Sequence, residues 1–119
     1  MDLRDENRER LMKCGVDYDG AMERFMGRSD LYLNFIKKFL EDSSYQCMLE
    51  AIENKDVDTA FRHAHTLKGL CANLSLAKLR QECSELVECL RSGNLNDIAE
   101  PLERVEKTYQ ELLAVLKQI

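Results

Sequence analysis

The sequence predicts an all-α protein, an antiparallel up-down-up-down four-helix bundle with short N-terminal helices capping one end. Three observations predict it. Apolar residues recur at steps of three and four along most of the 119-residue chain, the period of a helix with one buried face. No stretch shows the alternation of a half-buried strand. Turn-forming residues separate the long periodic stretches by about two to five positions, which is the spacing of helix hairpins. At this length one domain is expected, large enough to bury roughly two-thirds of its unfolded surface. Residues 1–27 are read as the capping helices and 29–119 as the bundle.

Taken in order, residues 2–13 form a charge-dense helix in which Leu3 and Leu11 give little amphipathicity, with Gly15 as its stop. Tyr18 to Met26 is a second short helix ended by Gly27, with Ala21, Met22 and Phe25 as its apolar contacts. Ser29 caps the first long helix, expected from Asp30 to about Glu53. Tyr32, Phe35, Ile36, Phe39, Met48 and Ala51 mark its inner side, and Leu31, Leu33 and Phe35 are candidates for an exposed docking patch. Asn54 and Lys55 turn the chain, and Asp56 caps the next helix, which runs to Leu74 with Val57, Ala60, Phe61, Ala64, Leu67, Cys71 and Leu74 as its stripe. Ser75 turns the chain again and is expected to cap a helix from Leu76 to Arg91. Ser92-Gly93-Asn94 stops that helix. The last one starts near Asn96 or Asp97, tolerates Pro101 in its first turn, and runs to the end.

Composition narrows the function. With 45% hydrophobic and 33% charged residues, one proline and five glycines, the chain is that of a soluble helical protein. No apolar run approaches the roughly 18 residues of a membrane span, and the N-terminus lacks signal-peptide character, so the cytoplasm is expected. Seventeen basic and 22 acidic residues give a net charge of −5. Without a long Lys/Arg run this argues against nucleic acid as a partner. The five cysteines form no C-x-x-C pair and read as reduced core or near-core residues. His63 and His65 project about 200° apart on a helix and cannot share a metal ion. No Gly-rich phosphate loop and no cluster of acidic residues for Mg²⁺ is present, which excludes a kinase.

Chemistry concentrates in the helix that Asp56 begins. His65 follows Ala64 by one residue, or about 100° of turn, so it lies at the edge of the buried stripe. A histidine there is commonly a packing or surface residue. Here Arg62 at i−3, Lys68 at i+3 and Gly69 at i+4 share its face. An exposed imidazole is largely neutral at pH 7 and nucleophilic at nitrogen. A lysine one turn away suits a dianionic phosphoryl group on the ring. A mid-helix glycine costs about 1 kcal/mol against alanine, which suggests close approach to the backbone at that point.

The run Ala64-His65-Thr66-Leu67-Lys68-Gly69, continued by Asn73-Leu74, resembles the signature of histidine-containing phosphotransfer (HPt) domains. Gly15-Val16-Asp17, residues 21–27 and Leu31 to Phe39 are similar to the upstream pattern of that family, so the likeness covers about residues 15–113. Two positions depart: Ser75 stands where the family carries glycine, and Ala72 where a second small residue, often glycine, is found. The resemblance implies that His65 is the phosphoacceptor, through Nε2, that Lys68 pairs with the phosphoryl oxygens, and that Gly69 gives a partner access. It implies response-regulator receiver domains and a sensor histidine kinase as partners, with Mg²⁺ on the receiver and no cofactor or metal on this chain. A monomeric phosphoryl carrier without enzyme machinery of its own is the expectation. The competing reading is a helical adaptor that binds a receiver or kinase without accepting phosphate. The intact His65, Lys68 and Gly69 set counts against it, since an adaptor has no chemical need of the histidine.

Overall fold

A computed structural model describes residues 5–119, and every element among them is a helix: α1 (Asp5–Lys13), α2 (Tyr18–Arg24), α3 (Ser29–Glu41), α4 (Ser44–Glu53), α5 (Val57–Asn73), α6 (Ala77–Arg91) and α7 (Ala99–Leu116). No strand occurs among the described residues. The start of the expected N-terminal helix, with Leu3, lies outside them. Successive helices from α4 to α7 pack on one another, and α7 also meets α1 and α3. Ala60, Ala64, Leu67 and Cys71 of α5, Cys83, Leu86 and Leu90 of α6, and Val105 and Leu112 of α7 form the interior, as their spacing predicts.

Leu11 is buried despite its charged surroundings. Arg10 of α1 donates a hydrogen bond to Gln118 beyond the end of α7, which helps hold the N-terminal helix down. At the stop after α1, the Val16 N–H donates to Leu11 O at 3.1 Å and the Gly15 N–H to Met12 O at 3.0 Å, the double closure that uses a left-handed residue. Gly15 supplies that residue, with φ +85°. Asp17 then caps α2, its Oδ1 accepting from the Gly20 N–H at 3.0 Å.

The single helix expected from Asp30 to Glu53 is two helices, broken at Asp42 and Ser43. Asp42 is extended (φ −73°, ψ 135°), and its Oδ1 accepts from the Ser44 N–H at 2.8 Å. Short polar side chains that bond nearby backbone offer an alternative to the helical ladder, and three stand in a row here, at 42, 43 and 44. The apolar pattern also requires the break. In one unbroken helix Tyr45, Met48 and Ala51 would face about 150° away from Tyr32, Ile36 and Phe39, yet all six are buried. Ser29 is the first helical residue of α3; Arg28 takes the cap position without capping the helix backbone, its guanidinium donating instead to the Asp30 carboxylate at 3.2 Å.

Asp56 caps α5 as expected, accepting from the Thr59 N–H at 3.2 Å. The Thr59 side chain and N–H together hold its carboxyl below the usual carboxylate range. Ser75, in contrast, does not cap α6. It occupies the left-handed position that closes α5, with φ +57°, while Leu76 N–H donates to Cys71 O at 2.9 Å and Ser75 N–H to Ala72 O at 3.3 Å. The turn after α5 therefore has the geometry that glycine favours, built with serine. Its carbonyls are used: Ser75 O accepts from the Asp17 N–H at 2.9 Å and Leu74 O from the buried Tyr32 hydroxyl at 2.8 Å. Burial pushes the Tyr32 hydroxyl above its ordinary pKa. Since a left-handed L-residue costs roughly 1–2 kcal/mol, part of which glycine's extra unfolded freedom offsets, Ser75→Gly is expected to raise stability by about 0.5–1 kcal/mol in urea unfolding. Unchanged or lower stability would mean the serine hydroxyl contributes more than its backbone costs. Helix α7 begins at Ala99, after the expected Asn96 or Asp97, and Pro101 is its third residue, within the first turn.

Candidate functional site

Helix α5 presents the site. His65 is the ninth of its 17 residues, so the imidazole stands mid-helix on a closed backbone. Ala64 and Leu67 beside it are each 1% exposed, fixing that face of the helix against the interior. His65, Thr66 and Gly69 are exposed and Lys68 is half-buried. A Cβ placed on Gly69 would meet nothing within 4 Å. The protein therefore leaves an open space one turn beyond the imidazole, on the same face. No packing requirement accounts for that glycine.

The flanking cations behave differently. The Arg62 guanidinium reaches back to donate to Thr59 Oγ1 at 3.2 Å. Thr66 Oγ1 donates to Arg62 O at 3.0 Å, so the threonine beside the histidine is turned along the helix. Lys68 makes no hydrogen bond or ion pair among the described residues, and its ammonium is uncommitted. The structure thus brings His65, Lys68 and Gly69 together on one face, as the spacing predicts.

Two further side chains, one beside His65 and one behind that neighbour, were not tied to the site by the sequence. The Phe61 ring, one turn back, lies 6.2 Å from the imidazole between centroids with 38° between their planes. The Arg91 guanidinium, from the last residue of α6, lies over the other ring at 5.1 Å from the Phe61 centroid. Phe61 belongs to the apolar stripe by spacing, and its half-burial shows it at the edge. The i, i+4 offset from His65 was the available signal. Nothing in the sequence links Arg91 to it.

Toward the C-terminal end of α5, an apolar groove of about 460 Å³ is lined by Phe25, Phe35, Phe39, Leu70 and Leu74, with Arg24 and Lys38 on its rim. Of the three candidates for an exposed patch, Phe35 is 41% exposed while Leu31 and Leu33 are half-buried. Phe35 packs on Phe25 at 5.5 Å between centroids and carries the Lys38 ammonium at 5.1 Å over its ring.

All five cysteines are free thiols. Cys71 and Cys83 are fully buried across the α5–α6 contact, where the hydrogen bond with Cys83 and burial push the Cys71 thiol up. Such thiols are inert. Among the described residues no three His, Cys, Asp or Glu side chains are placed to hold a metal ion. No helix of the described residues is long and apolar enough to cross a membrane.

The described residues are helical throughout their regular structure, and on α5 they mount an exposed imidazole on the same face as an uncommitted ammonium. The Hpt domain family matches residues 22–115, and the chain belongs to it. Hpt domains are phosphocarriers of two-component phosphorelays and interact with receiver domains and kinases. Gly15-Val16-Asp17 falls before the matched span. No curated protein and no solved structure matches the chain.

Proposed function

We propose that this chain is a phosphorelay intermediate that accepts a phosphoryl group on His65 from a receiver-domain phosphoaspartate and passes it to a response regulator. The observation that carries the reading is the face of α5, where an exposed imidazole, an uncommitted Lys68 and an unobstructed Gly69 stand within two turns. In the step, the lone pair of neutral Nε2 forms a bond to phosphorus, the acyl-phosphate P–O bond breaks, and the receiver aspartate leaves as a carboxylate. The Nδ1 proton stays on the ring. Lys68 pairs with the dianion formed. Such transfer depends on positioning more than on covalent machinery, so a fixed helix suits it. The reverse step hands the group on. Mg²⁺ and the acidic pocket belong to the receiver, and this chain supplies no cofactor.

In this reading α3 with α4, α5, α6 and α7 are the four arms of an antiparallel up-down-up-down bundle, with α1 and α2 over one end, and the 119 residues form one domain. It acts as a monomer in the cytoplasm, and its apolar groove beyond Gly69 suits a docked receiver.

Phosphoryl transfer from a panel of phosphorylated receiver domains tests the assignment. Wild type is expected to gain an acid-labile, alkali-stable label, and His65→Gln to lose all of it with an unchanged helical signal, because the side chain is exposed. Label persisting on His65→Gln would remove the acceptor role from this residue. A wild type that binds a receiver and stays unlabelled would make the chain an adaptor.

A further inference from the structure

We propose that Phe61 and Arg91 form a positioning pair for His65: the guanidinium holds the phenyl ring, and the ring limits the imidazole to the orientations from which it is phosphorylated. The inference rests on the assignment of His65 as the acceptor and adds two residues to its function.

Three contacts carry it. Glu88, one turn back on α6, accepts from Arg91 Nε at 3.1 Å, so the guanidinium is tethered at one edge. Its carbon stands 5.1 Å from the Phe61 centroid, the range in which a cation and a ring face attract. The phenyl ring in turn lies 6.2 Å from the imidazole, inside the span in which tilted aromatic pairs attract. His65 has no hydrogen bond among the described residues that would fix its ring, so this ring contact is what restrains it. Phe61 and Lys68 both lie on the α6 side of His65 by their positions along the helix, one before it and one after it. An imidazole leaning on Phe61 therefore presents its edge between a held ring and a free ammonium. Reaction requires the attacking nitrogen near about 3–3.5 Å from phosphorus and aligned with the breaking bond, and loss of that alignment is costly. The pair thus links the end of α6 to the middle of α5, and it acts on the rate of the chemical step and not on docking.

Phosphoramidate, a small donor that needs no docking surface, isolates that step: in its nitrogen-protonated form the P–N bond breaks, the bond from Nε2 to phosphorus forms, and ammonia leaves with the electron pair of the broken bond. Phe61→Leu is expected to slow labelling of His65 by about tenfold and Arg91→Ala by about threefold, with Arg91→Lys, which keeps a cation for the ring, restoring most of the rate. Melting curves of the variants establish that the fold is kept. Side-chain coupling constants of His65 by NMR supply a readout independent of phosphorylation: one preferred rotamer in wild type, averaged rotamers in Phe61→Leu and Arg91→Ala. Variants that label at the wild-type rate with unchanged couplings would overturn the pair. If wild type takes no label from phosphoramidate, transfer from a phosphorylated receiver decides the acceptor assignment, and the couplings decide whether Phe61 and Arg91 hold the ring.

Discussion

Replacing Gly69 by Gln is expected to cut transfer from a phosphorylated receiver about a hundredfold while leaving the fold at least as stable. The stability half follows from the helix itself. Glycine in a helix interior costs about 1 kcal/mol relative to alanine and glutamine costs far less, and a Cβ at this position meets no atom within 4 Å. The transfer half follows from the face it shares with His65. With His65 as the acceptor, a side chain one turn above the imidazole would stand in the path of a docked receiver, and a displacement of about 1 Å at the reacting atoms is enough for a hundredfold loss. Gly69→Ala should fall between, with a loss of a few fold. The donor's size separates access from chemistry. Phosphoramidate should label Gly69→Gln nearly as well as wild type, whereas a receiver should not. Equal receiver-dependent rates in the two proteins would show that the open space has no part in transfer.

The largest loss of stability is expected at Gly15. This residue has φ +85°, and a Cβ there would stand 2.2 Å from Lys78 Cβ and 3.0 Å from Lys78 Cδ. The near atom is the root of the lysine side chain and cannot swing aside. The backbones are also joined, since the Lys78 N–H donates to Gly15 O at 3.0 Å. Gly15→Ala therefore combines a left-handed conformation, roughly 1–2 kcal/mol, with overpacking that costs typically 1–3 kcal/mol, or about 3 kcal/mol together. Gly93 supplies the control. It too has positive φ, +86°, but open space around its Cβ, so Gly93→Ala should show the backbone part alone. Equal urea midpoints for the two variants would mean that α6 yields freely at Lys78.

What the sequence makes legible is what one helix can display by itself. The α5 stripe, its Asp56 cap and the shared face of His65, Lys68 and Gly69 all follow from a period of 3.6 residues. The break at Asp42 was legible in principle, because the apolar faces of residues 32–39 and 45–51 are out of phase, but a pattern read at steps of three and four tolerates such a drift. Ser75 shows another limit. Serine is a common N-cap, and only the carbonyl contacts to Asp17 and Tyr32 show why the chain holds it in a left-handed turn instead. The contact of Arg91 with Phe61 depends on how α6 lies on α5, which no local pattern encodes.

The hydrogen bond from Tyr32 to Leu74 also says something about how the chain assembles. It joins residues 42 positions apart, whereas α4 meets α5, and α5 meets α6, across connections of three residues each. Loop-closure entropy rises with the length closed, and chains reach local contacts sooner than distant ones. The helix bearing His65 is thus built against α4 and α6 from the contacts that demand least ordering of the chain, whereas its tie to α3 demands more. Loss of the N-terminal part to fraying leaves the hairpins on both sides of α5 with their own contacts.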